Sequence, residues 1–168
     1  AARSVKGAEA ILSVTTDFSD TLSETWRVTS NGFSGARRDT SFFISAEASV
    51  KDPDGRKPED YAYGGARFVA EVPKAAVVGR EAAERALSRL GSKKGESAVL
   101  TMAVENRAAG RLPAYLLGPL SGGALQQKRS FLEGKLGQQI ASPLLTLVDD
   151  PLVPKGFGSR LFDGEGIA

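Results

Sequence analysis

From Ile11 to about Val69, hydrophobic residues recur at alternate positions, the spacing of strands with one buried face. Phe42, Ile44, Ala46, Ala48 and Val50 alternate with Phe43, Ser45, Glu47 and Ser49, and only Phe43 interrupts the polar face. Trp26 and Val28 share a face on the preceding strand, and Asn31-Gly32 before Phe33 offers the positive-φ residues of a tight hairpin. Asp52-Pro53-Asp54-Gly55 marks the next turn, since proline presets φ and glycine accepts the left-handed region. Together these signals predict an antiparallel meander.

After Pro73 the period lengthens. Ala83, Ala86, Leu87 and Leu90 fall at helical spacing, so a helix is expected over about 74–90, with Glu81 and Arg85 paired on its exposed side and Gly91 as a left-handed cap. The polar stretch Ser92-Lys93-Lys94-Gly95-Glu96 is the candidate boundary, dividing 1–94 from 95–168. Beyond it, Ala98 to Val104 is an apolar run that suits a strand covered on both faces. Asn106 is placed to cap a helix running through Arg107 and Leu112, which Pro113 should kink. A second helical piece is expected over Ala124 to Leu132, and another buried strand over Leu144 to Val148, before the turn at Asp149-Asp150-Pro151. The expected class is α+β: a meander plus helix, then the start of a second α/β domain.

Composition narrows the chemistry. The 168 residues carry 22 Lys+Arg against 20 Asp+Glu, a net charge of +2, and this thin surplus gives no nucleic-acid footprint. No run of 18 apolar residues is present, nor an amino terminus patterned as a signal peptide, which leads to the expectation of a cytoplasmic protein without a membrane partner. Cysteine and histidine are both absent, so a thiolate nucleophile, a Ser-His-Asp triad and a His-rich zinc site are excluded within these residues. Met102 is the only methionine and the chain stops at Asp163-Gly164-Glu165-Gly166-Ile167-Ala168 without a closing element, a pattern expected of a fragment of a longer protein.

Several groupings are candidate sites. Gly118-Pro119-Leu120-Ser121-Gly122-Gly123 and Gly156-Phe157-Gly158-Ser159-Arg160 could cradle phosphate, yet the first lacks a Lys-Ser/Thr ending and the second a following helix, so both are read as turns. Ser121 could draw only on a lysine such as Lys128 as its base. Asp149, Asp150, Asp163 and Glu165 could hold a hard cation, but their spacing fits turns better. Gln126, Gln127, Lys128 and Arg129 read as a solvated face, and Tyr61 and Tyr63 as sheet packing rather than a base-stacking platform. No catalytic, cofactor-binding or metal-binding residue, and no cofactor, is expected.

The stretch Ala124-Leu125-Gln126-Gln127-Lys128-Arg129-Ser130-Phe131-Leu132-Glu133-Gly134-Lys135-Leu136-Gly137, followed by Ile140, Pro143, Leu145-Thr146-Leu147 and Asp149-Asp150-Pro151, resembles the TldD/PmbA family. Gly156-Phe157-Gly158-Ser159 with Phe162-Asp163-Gly164-Glu165-Gly166 resembles it too, as do Ser30-Asn31-Gly32-Phe33, Asp60-Tyr61-Ala62-Tyr63 and the run from Val78 to Leu90. Coverage is essentially the whole chain, which would form the middle of a longer family member.

The resemblance implies one of two branches that pair as a heterodimer. The catalytic, TldD-like branch carries a His-Glu-x-x-x-His helix that binds zinc, and that helix should lie between about Asn106 and Gln127, where this chain has no histidine. The chain therefore resembles the PmbA-like (TldE) branch, which lacks the zinc site. Membership of that branch implies a non-catalytic subunit that partners a TldD-like zinc metalloprotease in proteolysis or maturation of unfolded peptides. Peptide would be held through backbone hydrogen bonds at a sheet edge. The alternatives are a standalone peptide- or ligand-binding homo-oligomer and, from the family's older name, a modulator of DNA gyrase.

Overall fold

A computed structural model describes residues 1–167. Its sheet has three antiparallel strands in the order β1-β2-β3, with β1 at Ile11–Val28, β2 at Ser34–Val50 and β3 at Glu59–Ala66. β1 and β2 pair along their whole length, from Ile11 opposite Val50 to Val28 opposite Ser34. Asn31-Gly32 makes the turn as its residue types require: Gly32 sits at φ 91°, and the Asn31 side chain accepts from the Phe33 N–H at 3.2 Å. β3 pairs only with the proximal half of β2, Glu59 opposite Ser49 through Ala66 opposite Phe42.

Helix α1, Ala75–Leu87, follows Pro73 and lies on the face of the sheet that carries Ala46, Ala48, Val50 and Ala62. Its buried residues are Val78, Gly79, Ala82, Ala83 and Ala86. Small side chains on both surfaces bring helix and sheet close together, so the core is dense but thin and Val50 is its largest fully buried side chain. Glu81 and Arg85 pair at 2.9 Å, and Gly91 takes φ 70° at the end of the turn that follows α1.

Two buried carboxylates tie this end together. Asp52 accepts from Arg56 Nη2 and from the Gly91 N–H, each at 3.0 Å, and Asp60 accepts from Arg89 Nε at 2.8 Å. Each thus has the partners a buried charge needs. Gly64 and Gly65 permit two close approaches that larger residues would block: a Cβ on Gly65 would stand 2.3 Å from the Phe43 ring, and one on Gly64 would stand 2.5 Å from Pro73.

The contacts divide the chain into Ala1–Gly95 together with 150–167, and Glu96–Asp149. The second unit contains α2 at Asn106–Ala109, α3 at Arg111–Leu120 and α4 at Gly122–Gln126. Here the structure corrects several expectations. Ala98 to Val104 and Leu144 to Val148 are not buried strands: both are without strand pairing, and Val99, Leu100, Leu144 and Val148 are exposed. An apolar run becomes a strand only beside another strand, and none lies next to these runs among the described residues. The helix break falls at Gly110 rather than Pro113, because Pro113 occupies the first turn of α3, where its missing N–H costs nothing. Glu105, not Asn106, is the N-cap position of α2. The helix expected to reach Leu132 stops at Gln126, beyond which Lys128 is left-handed at φ 54°.

Candidate functional site

The hairpin outreaches its cover. α1 protects Ala46, Ala48 and Val50, whereas Phe18, Leu22, Trp26 and Val28 on the same face of β1 are more than half exposed. The outer edge of β1 pairs with no other strand among the described residues, leaving 18 residues of extended backbone open along one side. An open edge of this length is a template for an added strand.

The opposite face of the hairpin carries residues 150–167. Phe157 stacks on Phe43 at 5.0 Å between centroids, and Phe162 meets Phe33 edge-on at 5.0 Å. Arg67 is the clamp: its Nη2 donates to the carbonyls of Gly156 at 3.2 Å and Phe157 at 2.6 Å, its Nη1 donates to the Thr40 carbonyl at 3.1 Å, and the guanidinium lies 5.3 Å from the Phe157 ring centroid. Lys155 pairs with Glu71. Sequence reasoning missed this strap. The available signal was Phe43, the one apolar residue on the polar face.

The four late carboxylates are not gathered into a site. Asp150 accepts from the Leu152 N–H at 2.8 Å, and Asp163 accepts from the N–H groups of Glu165 and Ile167 at 2.8 and 2.9 Å. Those backbone donors, Ile167 foremost, hold the Asp163 carboxyl below its ordinary range. The Asp54 carboxyl is lowered in the same way by the Arg56 N–H and the Arg56 guanidinium. Among the described residues no group of three or more His, Cys, Asp or Glu could hold a metal ion.

Between Asn106 and Gln127, Ser121 caps α4 through a 3.2 Å hydrogen bond from the Ala124 N–H, which occupies the hydroxyl considered as a nucleophile. Gly118 and Pro119 lie inside α3, and Gly156 closes a turn onto the Val153 carbonyl at 3.1 Å, so neither glycine segment forms an anion cradle. Arg129 donates to Gln127, and Tyr61 stacks on Tyr63 at 6.0 Å on the open face of β3. Ser130, which the sequence marks only as part of the family-like stretch, is buried and donates to the Pro119 carbonyl at 2.7 Å while accepting from the Leu132 N–H at 3.0 Å. No helix among the described residues is long and apolar enough to cross a membrane.

Comparison with known proteins places these features in context. The family profile described as the PmbA/TldA metallopeptidase central domain matches residues 1–90, and that of the C-terminal domain of the same proteins matches 97–168. The chain is 33% identical to Metalloprotease PmbA of Escherichia coli O157:H7 over 118 residues, which is 70% of this chain and 26% of that protein. It therefore spans about a quarter of the length of this curated relative. A crystal structure from Bacteroides thetaiotaomicron, described as a candidate modulator of DNA gyrase, superposes with a TM-score of 0.88 and 39% identity over 95% of this chain and 36% of that one. A protein from Thermotoga maritima with the same description gives a TM-score of 0.79 and 26% identity, covering 95% and 37%.

Proposed function

Since the chain belongs to the PmbA/TldD metallopeptidase family, we propose that it is a non-catalytic part of a peptide-degrading or peptide-maturing pair whose zinc is held by a TldD-like partner subunit. The observation that carries this reading is the segment between Asn106 and Gln127. It is helical, as a zinc-binding segment of this family would be, yet it offers no imidazole, thiolate or carboxylate ligand. The donor set does not fit zinc, which takes nitrogen and sulfur ligands in tetrahedral array. In this reading no residue of the chain is catalytic, and 1–94 and 95–168 belong to two successive domains, although residues 150–167 group by contact with the sheet unit. The open β1 edge supports a peptide-holding role, because backbone hydrogen bonds grip an extended chain with little regard to its sequence.

The test is hydrolysis of an unfolded peptide by the purified protein, alone and mixed with a family member that carries the His-Glu-x-x-x-His helix. Chelator-sensitive activity in the mixture only is the expected result. Activity from this protein alone would contradict the reading. Silence in both would favour the homo-oligomer, for which the uncovered Phe18-Leu22-Trp26 face of the hairpin offers a surface.

A further inference from the structure

A cleft of about 460 Å³ lies between β2 and the 151–161 stretch, lined among others by Arg37, Arg38, Asp39, Lys155, Ser159 and Arg160. On the strap side of the sheet, Arg37, Lys155 and Arg160 are cationic and Asp39 is a carboxylate, whereas the Arg38 side chain alternates to the opposite face. That carboxylate is already divided: Asp39 stands 3.2 Å from Arg37 Nε and 3.6 Å from Arg67 Nη1. Arg38 is paired across the strands with Glu24 at 3.3 Å, and Lys155 is paired with Glu71. Two guanidiniums remain under-used. Arg37 Nε is buried, and although it is close to Asp39 its N–H is not aimed there, so it has charge contact without a hydrogen bond. Arg160 is exposed, and its guanidinium makes no ion pair or side-chain hydrogen bond among the described residues, so it is open to a ligand.

The Arg37 side chain as a whole is 31% exposed, and an arginine fork pairs best with a planar oxyanion. We propose that this cleft binds a carboxylate of an acidic peptide segment, with Arg37 and Arg160 as donors and the side chains of Leu152 and Val153 as the apolar wall beside it. The choice of a peptide as the source of the oxyanion rests on the peptide-handling function proposed above; the positive cleft itself does not.

Fluorescence anisotropy of a labelled hexapeptide ending in Asp-Glu, with a free terminal carboxylate, tests this on the full chain. Arg160→Gln should weaken binding by about tenfold or more, as should amidating the peptide and replacing its acids by Asn and Gln, while Arg160→Lys should keep part of the affinity. Arg37→Gln should act in the same direction. Arg160 has no protein partner to lose, so its variants keep the test valid if Arg37→Gln fails to fold. Equal binding of the charged and uncharged peptides, or of Arg160→Gln and the parent, would overturn the proposal. So would displacement by inorganic phosphate or duplex DNA at concentrations as low as those of unlabelled acidic peptide. Charge-dependent binding without activation of a zinc-bearing partner would count against the proposed function alone, and the converse pattern against the cleft alone.

Discussion

Ala48 and Val50 in the sheet unit have no exposure to solvent, whereas Val99 and Leu136 in the helical unit are as exposed as in a free chain. The two units are similarly apolar along their runs, so hydrophobicity does not separate them. Partnership does. Phe42 to Val50 lies between two paired strands and under α1, while Ala98 to Val104 and Leu144 to Val148 have no neighbouring strand among the described residues. An apolar run thus measures the need for cover, and only topology shows whether the cover is supplied. The hairpin repeats the lesson on a smaller scale, buried where α1 reaches it and bare at Trp26 and Val28.

The largest test of this contrast is a matched pair. Val50→Asp should destabilise the sheet unit by about 4 kcal/mol or more, since it places an unpaired charge in the core, whereas Val99→Asp should stay within about 0.5 kcal/mol. Chemical denaturation followed by circular dichroism checks both, and similar losses would erase the distinction between the units. Next, Asp52→Ala strips the Gly91 N–H of its acceptor, while Arg56 keeps Asp54 and the Ser92 carbonyl, and should cost about 1–3 kcal/mol, with hydrogen exchange accelerating around residues 52–58 and 88–92 but not in 106–126.

A smaller effect is expected within the helical unit. Ser130→Ala removes two hydrogen bonds at a buried position and should cost about 1 kcal/mol, read as faster exchange at Leu132 with the sheet unchanged. The smallest concerns pH. The Asp163 carboxyl is held below its ordinary range when folded, so its contribution is present above the unfolded pKa of about 3.9 and is lost as pH falls through the folded value. Amide resonances of Glu165 and Ile167 should shift in that acidic window, and Asp163→Asn should abolish the shift.

Most of the sheet unit was legible in sequence because its signals are local. Alternation over Phe42 to Val50, glycine at 32 and 91, and the helical spacing of Ala83 and Ala86 each refer to residues that meet near neighbours or the next element. The strap over Phe43 was not legible, since the Arg67 and Phe157 contacts join residues far apart in the chain and no periodicity records them. The glycines at 64 and 65 likewise gain their meaning only once Pro73 and the Phe43 ring press against β3. In the helical unit, the expected strands failed because an apolar run does not carry its partners with it. The lack of histidine between Asn106 and Gln127 is a property of the sequence itself and independent of how the segment folds.

The most direct measurement is zinc content by native mass spectrometry, on the purified protein alone and after mixing with a His-Glu-x-x-x-His family member. This protein by itself should retain no zinc, and the mixed complex should carry zinc in proportion to the partner subunit. One zinc retained per molecule of this protein alone, with chelator-sensitive peptide hydrolysis, would contradict it.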